Sequence, residues 1–201
     1  MALKSAELAG LTIAQDSLQG AYNYCAEVTD RTTGHAGYLT REDAGRPVKS
    51  NKNADFLGHP AMAAVGMCVR SFVKHDVNDP MLEAGAKLLA RDLPVWNKQK
   101  KSNDFYYWYY GSLALNQYDG PESPRPGKGQ YWKDWEGRSA RRSSRTKPTI
   151  RASAPTAHGT ATIVGVIDGG GRVYATAINT LTFEVYYRYA NAFGTVKKPK
   201  K

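Results

Sequence analysis

Metal-binding and disulfide chemistry have little to work with in this 201-residue chain, which holds only two cysteines and four histidines. Cys25 and Cys68 stand far apart, with no Cys or His at metal-ligand spacing, and read as small core residues of helices. His35, His59, His75 and His158 are scattered singly, which suits ordinary polar side chains better than a ligand set or a catalytic base. No apolar run approaches the roughly 18 residues needed to cross a bilayer, so no membrane span is expected. The opening residues, Met-Ala-Leu-Lys-Ser-Ala-Glu-Leu, lack the basic-then-apolar layout of an export signal, which makes a cytoplasmic location the default expectation. Alternating apolar and polar residues are nearly absent too, leaving Thr160 to Ile167 as the one candidate strand.

What the sequence does have is helical spacing. Residues 2 to 10 have helical composition with Gly10 as a stop. From Ala14 to Val28, Leu18, Ala21, Tyr22, Cys25 and Val28 form one apolar stripe. Thr29 to Asn53 is rich in Gly, Asp, Arg, Lys and Asn and reads as a long loop. Pro60 to Val73 predicts a strongly apolar helix whose small residues permit close packing. Asp79-Pro80 is a cap followed by proline in the first helical position, opening a helix that ends near Leu93-Pro94. Another cap, Asn103-Asp104, opens the aromatic helix that reaches Gln117. Trp132 and Trp135 begin a further helix, whose pattern breaks where Ser139, Arg142 and Ser143 replace apolar residues. After Gly169-Gly170-Gly171, Val173, Ala177, Ile178, Leu181, Val185 and Tyr189 predict a last helix, apolar on more than one side. The fold class is all-α.

The charge excess is local. The net charge is +10, but six basic residues lie between Arg138 and Arg151 and four lysines lie at 197, 198, 200 and 201. With those ten set aside, the remaining 18 Lys and Arg equal the 18 Asp and Glu, so no folded surface is predicted to be strongly basic. Residues 138 to 162 contain Ile150 as their only large aliphatic side chain, and such composition buries too little to offset the entropy of ordering, so disorder is predicted there. The aromatics are not interleaved with the basic residues as in single-strand binders, and no specific nucleic-acid partner is expected.

Several stretches carry a resemblance. Asp104 to Leu115, Ala63-Ala64-Val65-Gly66-Met67, Leu93-Pro94-Val95-Trp96, Gly170 to Ala177 and Glu184 to Tyr189 together resemble the C-terminal part of bacterial proteins with prenyltransferase and squalene-cyclase-type repeats. The similarity covers nearly the whole chain except 138 to 165. It implies an α/α toroid, in which helical hairpins close into a ring with an inner and an outer layer; this chain would supply about half of one. The division expected is toroid hairpins over residues 1–137, a basic segment over 138–168, a final toroid helix over 169–194 and a lysine-rich tail over 195–201. The block at 138 to 165 is read as an insertion or as the product of two compensating reading-frame shifts.

The departures from that family bear on chemistry. Where related protein prenyltransferases carry a zinc-binding His, this sequence has Tyr107, and no position matches their zinc Cys. The Asp-Xaa-Asp-Asp acid of triterpene cyclases does not occur either. The resemblance therefore implies a toroid-repeat domain without catalytic residues, metal or cofactor, serving in protein interaction or scaffolding or lacking independent function. Its partners would be a second copy or the missing half of a larger toroid. The alternative is binding of an apolar isoprenoid lipid, or an enzyme fragment of the cyclase or prenyltransferase type. Asp104, Tyr106, Trp108, Tyr109 and Tyr110 would then line the cavity, with the rings offering cation–π attraction to a carbocation. Six consecutive aromatic positions, Phe105 to Tyr110, sweep about 500° around a helix, so they cannot all face one ligand. Tyr106, Tyr109 and Tyr110 are predicted on one side with Leu113, and Phe105, Trp108 and Ser112 on the other.

Overall fold

The computed structural model describes residues 1–42, 60–74, 76–94, 104–125, 129–143 and 171–187. Seven helices occur among them: α1 (Ala2–Leu8), α2 (Gln15–Glu27), α3 (Ala61–Val73), α4 (Pro80–Arg91), α5 (Phe105–Asp119), α6 (Gln130–Ser143) and α7 (Gly171–Tyr187). No strand is present among the described residues, where β pairing is limited to an isolated antiparallel bridge between Thr29 and Ala36. The protein is all-α. The candidate strand at 160 to 167, Tyr189 and the lysine tail lie outside the described residues.

Helix starts and stops follow local chemistry. Gly10, at φ 85°, turns the chain out of α1 at little steric cost. The Asp79 carboxylate accepts a hydrogen bond from the Met81 amide, and Pro80 follows it in the first turn of α4. α6 continues to Ser143, past the point where its apolar stripe stops and into the segment expected to be disordered. Arg138, Ala140, Arg141 and Arg142 are good helix formers, and propensity carries the backbone on for a turn and a half without an apolar stripe. The rest of that segment lies outside the described residues.

Packing arranges the helices in two rows. α3, α5 and α7 follow one another, α4 and α6 adjoin each other, and α5 touches α3, α4, α6 and α7. α2 packs on α3. Residue contacts run in opposite directions along each hairpin: Arg70 meets Asp79 while Met67 meets Gly85, and Asp119 meets Tyr131 while Ser112 meets Trp135. Both α3–α4 and α5–α6 are therefore antiparallel hairpins.

Two close approaches set the crossings. A Cβ on Gly111 would overlap the Trp135 ring, so the glycine is what lets that indole lie against α5. There the buried Trp135 Nε1 donates to Ser112 Oγ at 2.9 Å, which satisfies the polar end of an otherwise apolar side chain. Gly34, at φ 75°, rests on the backbone of Ala84 and Gly85 and holds the loop after α2 against α4.

The row is asymmetric at its ends. α1 buries none of its residues. α7 packs through Ile178 and Val185, with Tyr174 half-buried, whereas Val173, Ala177 and Leu181 of the predicted stripe are exposed. The helix is as expected; among the described residues its main helix neighbour is α5, and the stripe positions away from α5 stay exposed.

Gly111→Ala is expected to destabilise the protein by about 1–3 kcal/mol through overpacking against Trp135. Gly137→Ala, at a helical site with nothing near its Cβ position, is expected to stabilise by about 0.5–1 kcal/mol. Urea denaturation of the two variants beside the parent protein measures both.

Candidate functional site

The aromatic helix is where the alternative, lipid-binding expectation puts a cavity, and its side chains are largely engaged in packing. Asp104, buried at the start of α5, accepts a hydrogen bond from the Tyr107 amide through Oδ1 at 2.9 Å. That is an N-cap, so this carboxylate satisfies a helix start. Tyr107 is 1% exposed; its hydroxyl donates to the Asp92 carbonyl at 2.7 Å and its ring meets Trp135 edge-on at 5.3 Å. Burial pushes the Tyr107 phenol well above its usual range, with the charges of Asp92 and Asp104 adding to the effect. A neutral phenol held in this way is a poor zinc ligand.

The other candidates divide around the helix. Tyr106 and Tyr110 pair at 4.6 Å, and Tyr110 meets Tyr109 at 5.0 Å. Trp108 packs edge-on against Phe105 at 5.2 Å on another side. The structure thus brings Tyr106, Tyr109 and Tyr110 together, while Trp108 meets Phe105 and Asp104 caps the helix. Tyr109 is buried; Tyr106, Trp108 and Tyr110 are half-buried. Behind Tyr110, the buried Cys68 thiol donates to its carbonyl at 3.6 Å, and burial raises that thiol far above the usual cysteine range. Cys25 is raised as well, again by burial first, with the Arg70 charge opposing. Both cysteines are free, and among the described residues no group of three or more His, Cys, Asp or Glu could hold a metal ion.

Sequence reasoning missed two polar clusters, each built on a helix start. In the first, Asp79 caps α4 through Oδ1, while its Oδ2 receives Arg70 Nε at 2.7 Å and Nη2 at 2.5 Å. Arg70 Nη2 also donates to the Tyr22 hydroxyl at 2.8 Å, and the guanidinium lies 4.3 Å from the Tyr22 ring centre. This ties α2, α3 and the beginning of α4 together around a pair whose side chains are 6% and 7% exposed.

The second cluster joins α4, α5 and α6. Asp119, at the end of α5 and 1% exposed, accepts the Tyr131 and Trp132 amides through Oδ2 at 2.8 and 3.3 Å and so caps α6. Its Oδ1 receives Arg125 Nη1 at 2.6 Å. Arg125 Nη2 reaches Glu83 Oε2 at 2.6 Å, and the guanidinium sits between the rings of Tyr118 and Tyr131, at 4.8 and 5.3 Å from their centres. Both hydroxyls donate to Glu83: Tyr118 to Oε2 at 2.6 Å and Tyr131 to Oε1 at 2.8 Å. Burial works against the charge on Glu83, but the hydrogen bonds from Tyr118 and Tyr131 and the Arg125 charge outweigh it, leaving the carboxyl below its ordinary value. Burial first, and Glu83 second, push both phenols up.

With both carboxylates and both ends of the guanidinium engaged, the second cluster is a clamp. Its one signal in the sequence was Asp119-Gly120 at the end of the aromatic helix, which also suits a plain turn. Arg125 and Glu83 are 42 positions apart, and no local pattern joins them.

Asp119→Ala removes the cap of α6 and leaves Arg125 half-paired, with an expected cost of about 2–4 kcal/mol in chemical denaturation. Lys87→Ala, which removes a 3.4 Å contact of a largely exposed side chain with Glu83, is expected to change stability by less than about 0.5 kcal/mol in the same assay. Comparison of the chain with protein-family models, with curated proteins and with solved structures finds no match in any of the three.

Proposed function

We propose that this chain is a non-catalytic helical-hairpin unit of the α/α-toroid kind, acting in protein interaction or scaffolding. One observation carries the reading: α7 is packed along one side and bare along the other, with Val173 84%, Phe183 55% and Leu181 39% exposed. In a stack of hairpins each unit covers its neighbour, and a bare apolar face is where the next unit belongs. The two-row adjacency of α3, α5 and α7 with α4 and α6 suits the same reading. So does the use of Asp104 as a cap and of Tyr107 as a packed, hydrogen-bonded ring, since both are already engaged.

A second reading, binding of an isoprenoid lipid, draws on the half-buried Tyr106 and Tyr110, whose paired rings offer a π surface. Organic extraction of the purified protein followed by mass spectrometry separates the two. The interaction reading expects no stoichiometric isoprenoid, and finding one would replace it with the lipid reading.

The interaction reading also expects a solution mass that rises with concentration in light scattering, as molecules cover each other's α7. Phe183→Ser is expected to weaken that association about tenfold or more, the scale of losing one aromatic anchor. A monomer at every concentration, together with no lipid, would count against both.

A further inference from the structure

Four pieces of chain meet at the Glu83 carboxylate. Glu83 itself stands on α4, Tyr118 comes from α5, Arg125 from the connection between α5 and α6, and Tyr131 from the first turn of α6. Lys87, one turn along α4, approaches Oε1 at 3.4 Å, and Asp119 stands behind Arg125. Among the described residues these are the charged and titratable groups that the contacts place around it: two phenols that donate, two cations and one further carboxylate.

We propose that Glu83 is an acid-operated latch, which holds Arg125 and the start of α6 against α4, and whose protonation releases them while the α3–α4 hairpin stays closed. As a carboxylate it has acceptor sites for every donor around it. Once protonated it loses its attraction for Arg125, and its new O–H, which Arg125 cannot accept, is satisfied only where the Tyr118 or Tyr131 hydroxyl stops donating to it and accepts instead. Arg125 retains Asp119, and so stays tied to the end of α5 but no longer to α4. Solvent reaches the latch, since the Glu83 side chain is 31% exposed. The Asp79–Arg70 pair that fastens α3 to α4 shares no atom with this cluster and does not depend on it.

The pH window follows from direction. The folded-state value of Glu83 lies below the ordinary glutamate one, so its contribution is complete above the ordinary value and is lost as pH falls through the lower, folded one. Removing a donor from the carboxylate raises its pKa and moves the opening to higher pH. This inference concerns the α4–α6 corner and stands apart from the exposed face of α7.

Amide NMR spectra recorded between pH 7 and pH 3 test it. In the parent protein the Arg125, Tyr131 and Trp132 signals should shift together with a midpoint below the ordinary glutamate range, at a pH where the Met67 and Met81 signals are unchanged. Tyr131→Phe should move that midpoint up by about half a pH unit, the scale of one hydrogen bond to a partly exposed carboxylate. Glu83→Gln should show the open-corner signals at pH 7 and no transition. A transition that persists in Glu83→Gln, or one in which every amide changes at the same pH, overturns the latch. Should Glu83→Gln fail to fold, a midpoint in Tyr131→Phe that stays put or moves down overturns it equally.

Discussion

Enclosure of α5 is the constraint on which the rest of this structure depends. Eleven of its fifteen residues are buried, and α3, α4, α6 and α7 all touch it. A helix covered on so many sides has no solvent face on which to leave polar groups, so its composition turns apolar and aromatic all round. It also needs a place thin enough for a neighbour to cross. Gly111 supplies that place, and Trp135 fills it. The change from bulky aromatics to Gly-Ser after Tyr110 is therefore one packing device, in which large rings wedge between helices and a small step admits an indole whose N–H finds Ser112.

An enclosed helix makes its ends costly as well, because orphan amides near the core cannot rely on water. Aspartates meet that need at three starts: Asp104 for α5, Asp79 for α4 and, across a connection, Asp119 for α6. Two of the three are then paired with an arginine that also engages a tyrosine. Buried carboxylates of this kind are tolerated only when their remaining lone pairs are used. Two acids, an arginine and two phenols within hydrogen-bond reach of one another hold α4, α5 and α6 together here.

Local signals carried much of the fold. Asp79-Pro80, Asp104 and Gly10 mark helix boundaries through side-chain and backbone chemistry that acts within a few residues, and the structure places the boundaries there. The aromatic run was legible as a helix packed on several sides. What could not be read were interactions between distant positions: Arg125 with Glu83, Arg70 with Tyr22, and Trp135 with Gly111. The α7 stripe shows the same limit from the other direction. Its spacing identifies a helix, but which apolar residues are covered depends on which neighbours exist, and Val173 and Leu181 remain exposed. At α6, propensity continued the backbone to Ser143 beyond the last apolar anchor, which a stripe-based reading cannot anticipate.

These features give one account, in which a stack of antiparallel hairpins is organised around α5, closed by polar clamps at helix starts and open along α7. Hydrogen exchange followed by mass spectrometry tests its centre most directly. The account predicts that amides of α5 between Leu113 and Tyr118 exchange slowest in the protein, through global unfolding, while those of α1 exchange fastest among the helices. Peptides of α5 that exchange as quickly as α1 would contradict it.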